Sequence, residues 1–434
     1  MRVLFVSAEV APLAKVGGLA DVVGSLPKAL KKLDVDARII MPAYETIDQE
    51  KYAIKLVKKN IKVSFGQVQE SVDLLETKLP DSHVKVYLLS NQRYLSKDGV
   101  YAQGGTFAEI QRFLFFSQAV LAIIPALDWQ PEIIHCQDWH TGLIPLLLNL
   151  YQKNKHLLGI KTLFTIHNLA MQGRWNWSAV MKFLGLTGNE HPNLQVKFNG
   201  PYGQDIDLIE QGILGADLIN TVSKSYAQEI LTKQYYQRGL GKTLRQRAKD
   251  IVGIVNGIDI ESWNPQTDTN ICQQYSVKNV RQKKKNKLFL QKKLALLPKQ
   301  KIPLIGLISR LAEQKGIDLI VSIVGEIVKA GAQLVILGTG NRQLEKKLAE
   351  ISKQYPGQVS VTLCFDAKLA HQIYAGSDFF LMPSRFEPCG LGQLIAMRYG
   401  TVPIVRATGG LRDTIKNVIF KNNKIKGTGF VFHL

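Results

Sequence analysis

The chain has 434 residues, 46% of them apolar, and carries 55 Lys and Arg against 35 Asp and Glu, a formal net charge of +20. That length suits two domains with sizeable cores, and the sequence offers no uninterrupted run of about 18 apolar residues to span a membrane. Four scattered cysteines (Cys136, Cys272, Cys364, Cys389) show no Cys-x-x-Cys spacing, which argues against a disulfide framework or a cysteine zinc site and fits a reducing cytoplasm.

A first buried strand is predicted at 3–7. The apolar start is broken by Glu9 and Lys15 and reads as a core strand, not a secretory signal. Lys15-Val16-Gly17-Gly18-Leu19 follows and opens a helix over 22–33. Two glycines ahead of a helix let backbone approach a ligand closely, and Lys15 adds a positive charge there. The loop is neither Gly-x-x-x-x-Gly-Lys-Ser/Thr nor Gly-x-Gly-x-x-Gly, so it indicates neither an NTPase phosphate loop nor a nicotinamide dinucleotide site.

Further strands are predicted at 37–41, 84–89, 133–136, 161–166 and 218–221, with helices over 107–126 and 143–154. The second half repeats the rhythm, with strands at 251–255, 304–308, 333–337, 359–363, 379–382 and 402–405 and helices over 317–330, 341–355 and 368–376. Such alternation predicts α/β architecture, with parallel sheets covered by helices on both faces. Its repetition predicts two doubly wound, Rossmann-like domains, 1–248 and 249–434. Ligands of open α/β sheets sit beyond the C-terminal ends of strands, and the sequence motifs fall just there.

The most informative of them follows the strand Phe379-Phe380-Leu381-Met382: Pro383-Ser384-Arg385-Phe386-Glu387-Pro388-Cys389-Gly390-Leu391, with Gly400-Thr401-Val402-Pro403 and Thr408-Gly409-Gly410-Leu411 beyond it. Glu387 on such a loop can hold a sugar hydroxyl, and helix N-terminal amides can hold a phosphate or a polar sugar edge. An ordinary strand–turn–helix crossover reads the same way, so the loop alone leaves both readings open.

Taken together, the motifs resemble the bacterial glycogen synthases and plant starch synthases. The resemblance runs through Lys15 to Leu19, His135-Cys136-Gln137-Asp138-Trp139-His140-Thr141-Gly142-Leu143, Thr165-Ile166-His167-Asn168-Leu169-Ala170, Ile254-Val255-Asn256-Gly257-Ile258-Asp259, Ser309-Arg310-Leu311 with Gln314-Lys315-Gly316, and Glu387 to Leu391. It spans nearly the whole chain in the family's order. It implies a GT-B glycosyltransferase whose two Rossmann-like domains face each other across a cleft, the first an acceptor and catalytic domain and the second a nucleotide-sugar domain. The implied reaction is retaining transfer of glucose from ADP-glucose to an α-1,4-glucan, without cofactor or metal. Family members continue beyond the strand near Phe430 with further helices. The expectation is that these C-terminal helices are missing here, at a cost in activity and stability.

The resemblance also assigns roles. Arg310, Lys315 and Lys15 would hold the diphosphate, with Gly17 and Gly18 beside it. Glu387 and His167 would hold hydroxyls of the donor glucose, with Cys389, Gly390, Leu391 and Gly392 completing the donor loop. Asp138 would stand at the sugar, and Trp139, His140, Asn168 and Asn256 would line the acceptor region. Phe365 would pack on the nucleobase. Each has a plainer reading: Asp138 as a helix cap, His167 as a hydrogen-bonded core histidine, Phe365 as a core phenylalanine, and Gly338-Thr339-Gly340 as a tight turn. Gly392 stands where many relatives have a hydroxyl residue, and Val16 where threonine is common.

Three other readings stand beside the leading one. A related transferase would use UDP-glucose or another acceptor, and a catalytically silent homologue would only bind glucan. The net charge alone would suit a nucleic-acid binder, but the eight Lys and Arg of 278–293 read instead as a solvated helix face or linker. The expected partners are therefore a nucleotide-sugar and an α-glucan, with neither nucleic acid nor membrane.

Overall fold

Continuous apolar runs become parallel strands buried on both faces, as the sequence rhythm requires. The computed structural model describes residues 1–97, 99–101, 105–151, 153–421 and 424–433. Two units emerge, one of Met1–Val222 with Ala227–Ile254 and one of Ser223–Tyr226 with Val255–Leu434.

Unit 1 carries β1 (Arg2–Val6), β2 (Asp36–Pro42), β3 (Lys55–Phe65), β4 (Val68–Lys78), β5 (Lys85–Ser90), β6 (Ile133–Gln137), β7 (Lys161–Ile166), β8 (Arg174–Asn176), β9 (Phe198–Gly200), β10 (Gly203–Asp207), β11 (Leu218–Thr221) and β12 (Ile251–Gly253). Its main sheet runs β12-β11-β7-β6-β1-β2-β5-β4-β3, and a small antiparallel sheet runs β8-β10-β9. From β12 to β5 the pairing is parallel, and β4 and β3 join antiparallel. The chain builds outward from β1 on one side through β2 and on the other through β6. The order therefore reverses between β1 and β6, and the loops after these two strands flank the topological switch point.

Two expectations change here. The strand expected to open the second domain, β12, pairs with β11, so the first unit extends through Ile254 rather than ending at residue 248. A three-residue strand has no sheet preference of its own; its neighbour decides. The hairpin β3–β4 was not anticipated, because β3 is exposed along most of its length and buries only Val63 and Phe65. Its edge lysines, Lys55, Lys58, Lys59 and Lys62, suit an unpaired sheet edge, which they protect from pairing with other chains.

The helix Gly105–Ile123 with its short 3-10 extension to Ala126 is long and apolar enough, over Thr106–Ala126, to cross a membrane by length and composition. It is a core helix of unit 1: Ile110, Phe113, Leu114, Phe115, Phe116, Ala119, Val120 and Ile123 are all buried.

Unit 2 carries β13 (Leu304–Ile308), β14 (Gln333–Leu337), β15 (Val359–Thr362), β16 (Phe379–Met382), β17 (Val402–Arg406), β18 (Ile419–Lys421), β19 (Lys424–Lys426) and β20 (Phe430–Phe432). The sheet β15-β14-β13-β16-β17-β20 is parallel throughout, and β18–β19 is a separate antiparallel pair. Leu334 and Ile336 pack with Val324 and Leu348 on one face, while Val335 and Leu337 pack with Leu290 and Ile373 on the other. The order reverses between β13 and β16, so residues 309–316 and 383–391 flank this unit's switch point.

The lysine run is a solvated face only in part: Lys278, Arg281, Lys284, Lys285, Lys292 and Lys293 are exposed, while Lys283 and Lys287 are not. It forms the helix Lys283–Lys293, and two of its ammonium groups turn inward. Lys283 Nζ donates to the carbonyls of Tyr374 (3.1 Å) and Ala375 (2.8 Å) and to Thr401 Oγ1 (2.7 Å). Lys287 Nζ donates to the carbonyls of Gln300 (2.8 Å) and Ile302 (2.6 Å) and to Asp378 Oδ2 (2.5 Å). Tyr374 and Ala375 end the helix Ala367–Gly376, whose C-terminal carbonyls attract a cation.

Candidate active site

In unit 1 the loop after β1 is organised by Glu9, which the sequence motifs did not single out. Its buried carboxylate accepts hydrogen bonds on Oε2 from the amides of Val16 (2.6 Å) and Gly17 (2.8 Å). Burial pushes the Glu9 carboxyl above its ordinary range, while these two amides and Lys15 pull it back. The Lys15 ammonium is paired with Asp21 Oδ1 at 2.6 Å. The Gly17 amide is thus already engaged by protein, contrary to its expected use on a ligand. Gly17 instead caps the helix Gly18–Lys31 without a side-chain bond, which leaves the helix's own first amides as donors. A lone acid within the apolar stretch from Val6 to Leu13 was the signal for Glu9.

Across the switch point, β6 ends at Gln137 and Asp138 begins a 3-10 turn, Trp139–Thr141. Asp138 has φ 59° and ψ −173°, and its side chain makes no cap bond, so the helix-cap reading fails. That backbone region is ordinarily left to glycine and is costly for any other residue. It is held by the Asp138 amide donating to the Thr165 carbonyl at 2.9 Å and by the Thr141 amide donating to the Asp138 carbonyl at 3.1 Å. The carboxyl is buried, Oδ1 has no hydrogen-bond partner, and burial raises its pKa well above the usual range against the pull of the Trp139, Asn168 and His167 amides. A strained, buried carboxyl with one oxygen left open at a switch point is where a ligand group is expected.

His167 follows β7. Its Nε2 lies 2.7 Å from Gln137 Oε1, and burial holds its pKa down at about 3, so the ring is neutral. Asn168 is half-buried and accepts the Ala170 amide on Oδ1 at 3.1 Å. Trp139 and His140 do not line a groove as expected. The 3-10 turn rotates both inward, where they stack on each other at 4.2 Å and meet the edge of Phe113 at 5.2 and 4.6 Å. A Cβ on Gly173 would come within 2.3 Å of the Trp139 ring, so that glycine is the floor on which the indole lies.

In unit 2 the loop after β13 presents Arg310, which is exposed, and no hydrogen bond or ion pair ends on its guanidinium among the described residues. The glycines of Gly338-Thr339-Gly340 do more than turn the chain. A Cβ at Gly338 would sit 1.9 Å from the Ser309 carbonyl oxygen, and one at Gly340 would sit 2.4 Å from that of Leu311. Two backbones therefore touch on either side of Arg310, joined by the Leu311 amide donating to the Thr339 carbonyl at 2.8 Å.

Lys315 ends a short 3-10 turn. Its Nζ donates to Glu387 Oε2 at 2.6 Å, and Ser384 Oγ donates to the same oxygen at 2.9 Å. Glu387 is buried, and its Oε1 accepts no hydrogen bond among the described residues. The loop 383–387 is pinned to 313–318: Arg385 grips Asp318 with both guanidinium nitrogens at 2.6 and 2.7 Å, and its amide donates to the Gln314 carbonyl at 2.8 Å. The Arg385 guanidinium holds the Asp318 carboxyl below its usual range. Gly316 (φ 67°) permits the approach, since a Cβ there would lie 2.3 Å from the Pro383 carbonyl oxygen.

On the other side, the loop packs on Gly409 and Gly410, whose Cβ positions would lie 2.0 Å from the Glu387 carbonyl oxygen and 2.2 Å from that of Cys389. Cys389 itself is buried and burial pushes its thiol up to about 12, with the Asn256 amide hydrogen-bonded to it. Its side chain therefore faces protein, a correction to its expected donor contact, and Asn256 stands beside this loop. Gly390 and Leu391 are half-buried. Gly392 opens the helix Gly392–Arg398, and a Cβ there would lie 2.8 Å from the Phe380 ring, so the buried phenylalanine takes the room a side chain would need. Phe365, between β15 and the helix Ala367–Gly376, is 78% exposed, which removes its reading as a core residue. Among the described residues no group of three or more His, Cys, Asp or Glu stands together to hold a metal ion.

Two Rossmann-like units whose switch points carry cations and buried carboxylates suit the glycosyltransferase class. Residues 2–246 match a starch synthase catalytic domain, and residues 288–433 match the glycosyl transferases group 1. The chain is 43% identical over 435 residues to a glycogen synthase of Thermosipho melanesiensis, and 44% identical over 437 residues to that of Thermotoga maritima. In both cases the match covers 100% of this chain and 88% of the relative. The catalytic domain of starch synthase IV from Arabidopsis thaliana, solved bound to ADP and acarbose, superposes with a TM-score of 0.91 at 33% identity, over 100% of this chain and 88% of that one. The chain belongs to the starch and glycogen synthase family of glycosyltransferases, with the GT-B fold.

Proposed function

We propose that this chain transfers glucose from ADP-glucose to the non-reducing end of an α-1,4-glucan with retention at the anomeric carbon. The observation that carries the residue assignments is the Lys315–Glu387–Ser384 cluster at the switch point of unit 2, with Arg310, exposed on the loop after β13, unpaired among the described residues. The C1–O bond to the diphosphate breaks while C1 bonds to the acceptor hydroxyl oxygen on the same face. The departing phosphate oxygen takes the acceptor's proton, so the chain need supply no base. Negative charge grows on the leaving group, and cations aimed at it stabilise the transition state more than the ground state.

Arg310 and Lys315 supply that charge, with Lys15 as a third cation. Glu387 keeps Oε1 for a sugar hydroxyl while Oε2 is occupied by Lys315 and Ser384. His167 and Asp138 contact the sugar from unit 1. Gly18, Gly390, Leu391 and Gly392 offer backbone to the donor, and Gly17 shapes the loop that carries Lys15. Phe365 offers a ring face to the nucleobase, as an exposed aromatic on a loop can. Asn168 and Asn256 bind acceptor, with Trp139 and His140 supporting from behind. No metal or cofactor enters this scheme. The four free cysteines suit a reducing cytoplasm.

The test is incubation with radiolabelled ADP-glucose or UDP-glucose and glycogen, followed by β-amylase. Label should enter from ADP-glucose and leave as maltose. Transfer from UDP-glucose alone would shift the donor assignment, and none from either would favour a glucan-binding homologue.

A further inference from the structure

We propose that Gln137 is a positioning residue that fixes His167 in the tautomer with hydrogen on Nε2, so that Nδ1 is the acceptor offered to a sugar hydroxyl. The inference rests on the reading of His167 as a donor-sugar contact. Gln137 is the last residue of β6 and is fully buried, so it cannot touch substrate itself. Its Oε1 lies 2.7 Å from His167 Nε2, and its Nε2 donates to the His135 carbonyl at 3.5 Å. The opposite amide orientation would set Oε1 against that carbonyl oxygen, two acceptors face to face, so the network selects the one described. An amide oxygen only accepts, so His167 Nε2 must carry the hydrogen and Nδ1 the lone pair.

The surroundings keep it so. Among the described residues, the titratable groups that interact with His167 are His135, His140 and Asp138, and burial brings the pKa values of His135 and His140 down to about 3. With His167 also neutral down to about pH 3, Nδ1 stays an acceptor throughout the ordinary range. Such an atom rewards a hydroxyl, which can donate, and repels an anionic group. Part of the preference for a neutral hexose would thus be written in a residue that never meets it.

Two measurements test this. In protein with isotopically labelled histidine, the ring carbon and nitrogen NMR shifts of His167 should report the Nε2–H tautomer; an Nδ1–H tautomer overturns the proposal whatever the variants do. Gln137→Leu removes the lock and should lower kcat/KM roughly ten- to a hundredfold, the range expected when a buried polar partner is lost. Gln137→Glu still accepts from Nε2–H, so it should recover activity at alkaline pH. Its negative charge raises the imidazole pKa, so activity should fall on acidification along a limb that the wild type lacks. Equal losses in both variants at every pH would mean a structural role only and would overturn the proposal. Full activity in His167→Ala would instead remove the reading beneath it. Wild-type rates in Gln137→Leu, with His167→Ala inactive, would remove this proposal alone.

Discussion

The Lys315–Glu387 pair should be coupled in both stability and rate. Their charged atoms lie 2.6 Å apart, with side chains 19% and 7% exposed. At an effective dielectric of 20, two unit charges at that separation attract by about 6 kcal/mol before desolvation is subtracted. Removing one partner of a largely buried pair strands the other and costs about 3 kcal/mol or more. Lys315→Met leaves the Glu387 carboxylate with Ser384 alone and should lose about 3 kcal/mol. Glu387→Gln keeps an acceptor for both donors and loses only the charge, so about 1–2 kcal/mol is expected. The double variant should then cost less than the sum, with a coupling of about 2 kcal/mol. Urea unfolding of the four proteins followed by circular dichroism gives the cycle. Initial rates with ADP-glucose and glycogen give the second arm: kcat should fall about a hundredfold in Glu387→Gln, in line with loss of one preorganised contact to the reacting group. A coupling within about 0.5 kcal/mol of zero, or a kcat within twofold of wild type, would refute the reasoning.

Phe365→Ala should raise KM for the donor several-fold and leave kcat and stability nearly unchanged, since the ring is exposed; an unchanged KM would show that it does not meet the base. Gly410→Ala drives a methyl to 2.2 Å from the Cys389 carbonyl oxygen, so both melting temperature and activity should drop, and a wild-type melting curve would contradict the close packing. Incubation with EDTA should leave the rate unaltered; loss restored by magnesium would overturn the metal-free scheme. Lys283 supplies the pH test. Burial of its ammonium brings the pKa from 10.5 down to about 7, so between those values the unfolded chain binds more protons and stability rises with pH. Lys283→Met should lower stability by about 1–3 kcal/mol through the hydrogen bonds lost at the Tyr374 and Ala375 carbonyls and at Thr401 and flatten the rise between pH 7 and 9; parallel slopes for the two proteins would show that Lys283 does not titrate there.

The parallel strands were legible because burial on both faces leaves no room for polar alternation: Leu304–Ile308 and Phe379–Met382 read as strands and are strands with the same bounds. The position of the motifs was legible for a related reason. Side chains at the C-terminal end of a parallel strand leave the sheet into a loop, so the loops that carry Asp138, His167, Arg310 and Glu387 could be placed from strand ends, while the choice of these residues came from the family resemblance. What those side chains hold was not legible. Glu9 grips amides seven and eight residues on, and Gln137 meets a residue 30 positions away. Both are polar groups whose partners exist only once β1, β6 and β7 stand side by side.

The lysine helix shows a different kind of miss, one the sequence could have corrected. Composition marks 278–293 as a charged, solvated stretch. Leu290 is buried in the unit 2 core and Leu294 packs against the same cluster, and together they set the inward face. Stepping back from Leu290 by three and then four residues, along one face of a helix, leads to Lys287 and Lys283. The same face therefore begins with two lysines, and a fold that buries the leucines must give those ammonium groups partners. It does so with the final carbonyls of the helix Ala367–Gly376, with Thr401 and with Asp378. Charge counting weighs residues one at a time, whereas burial follows the face. In a basic chain a lysine in register with core leucines marks a buried cation whose partner must be sought elsewhere in the fold.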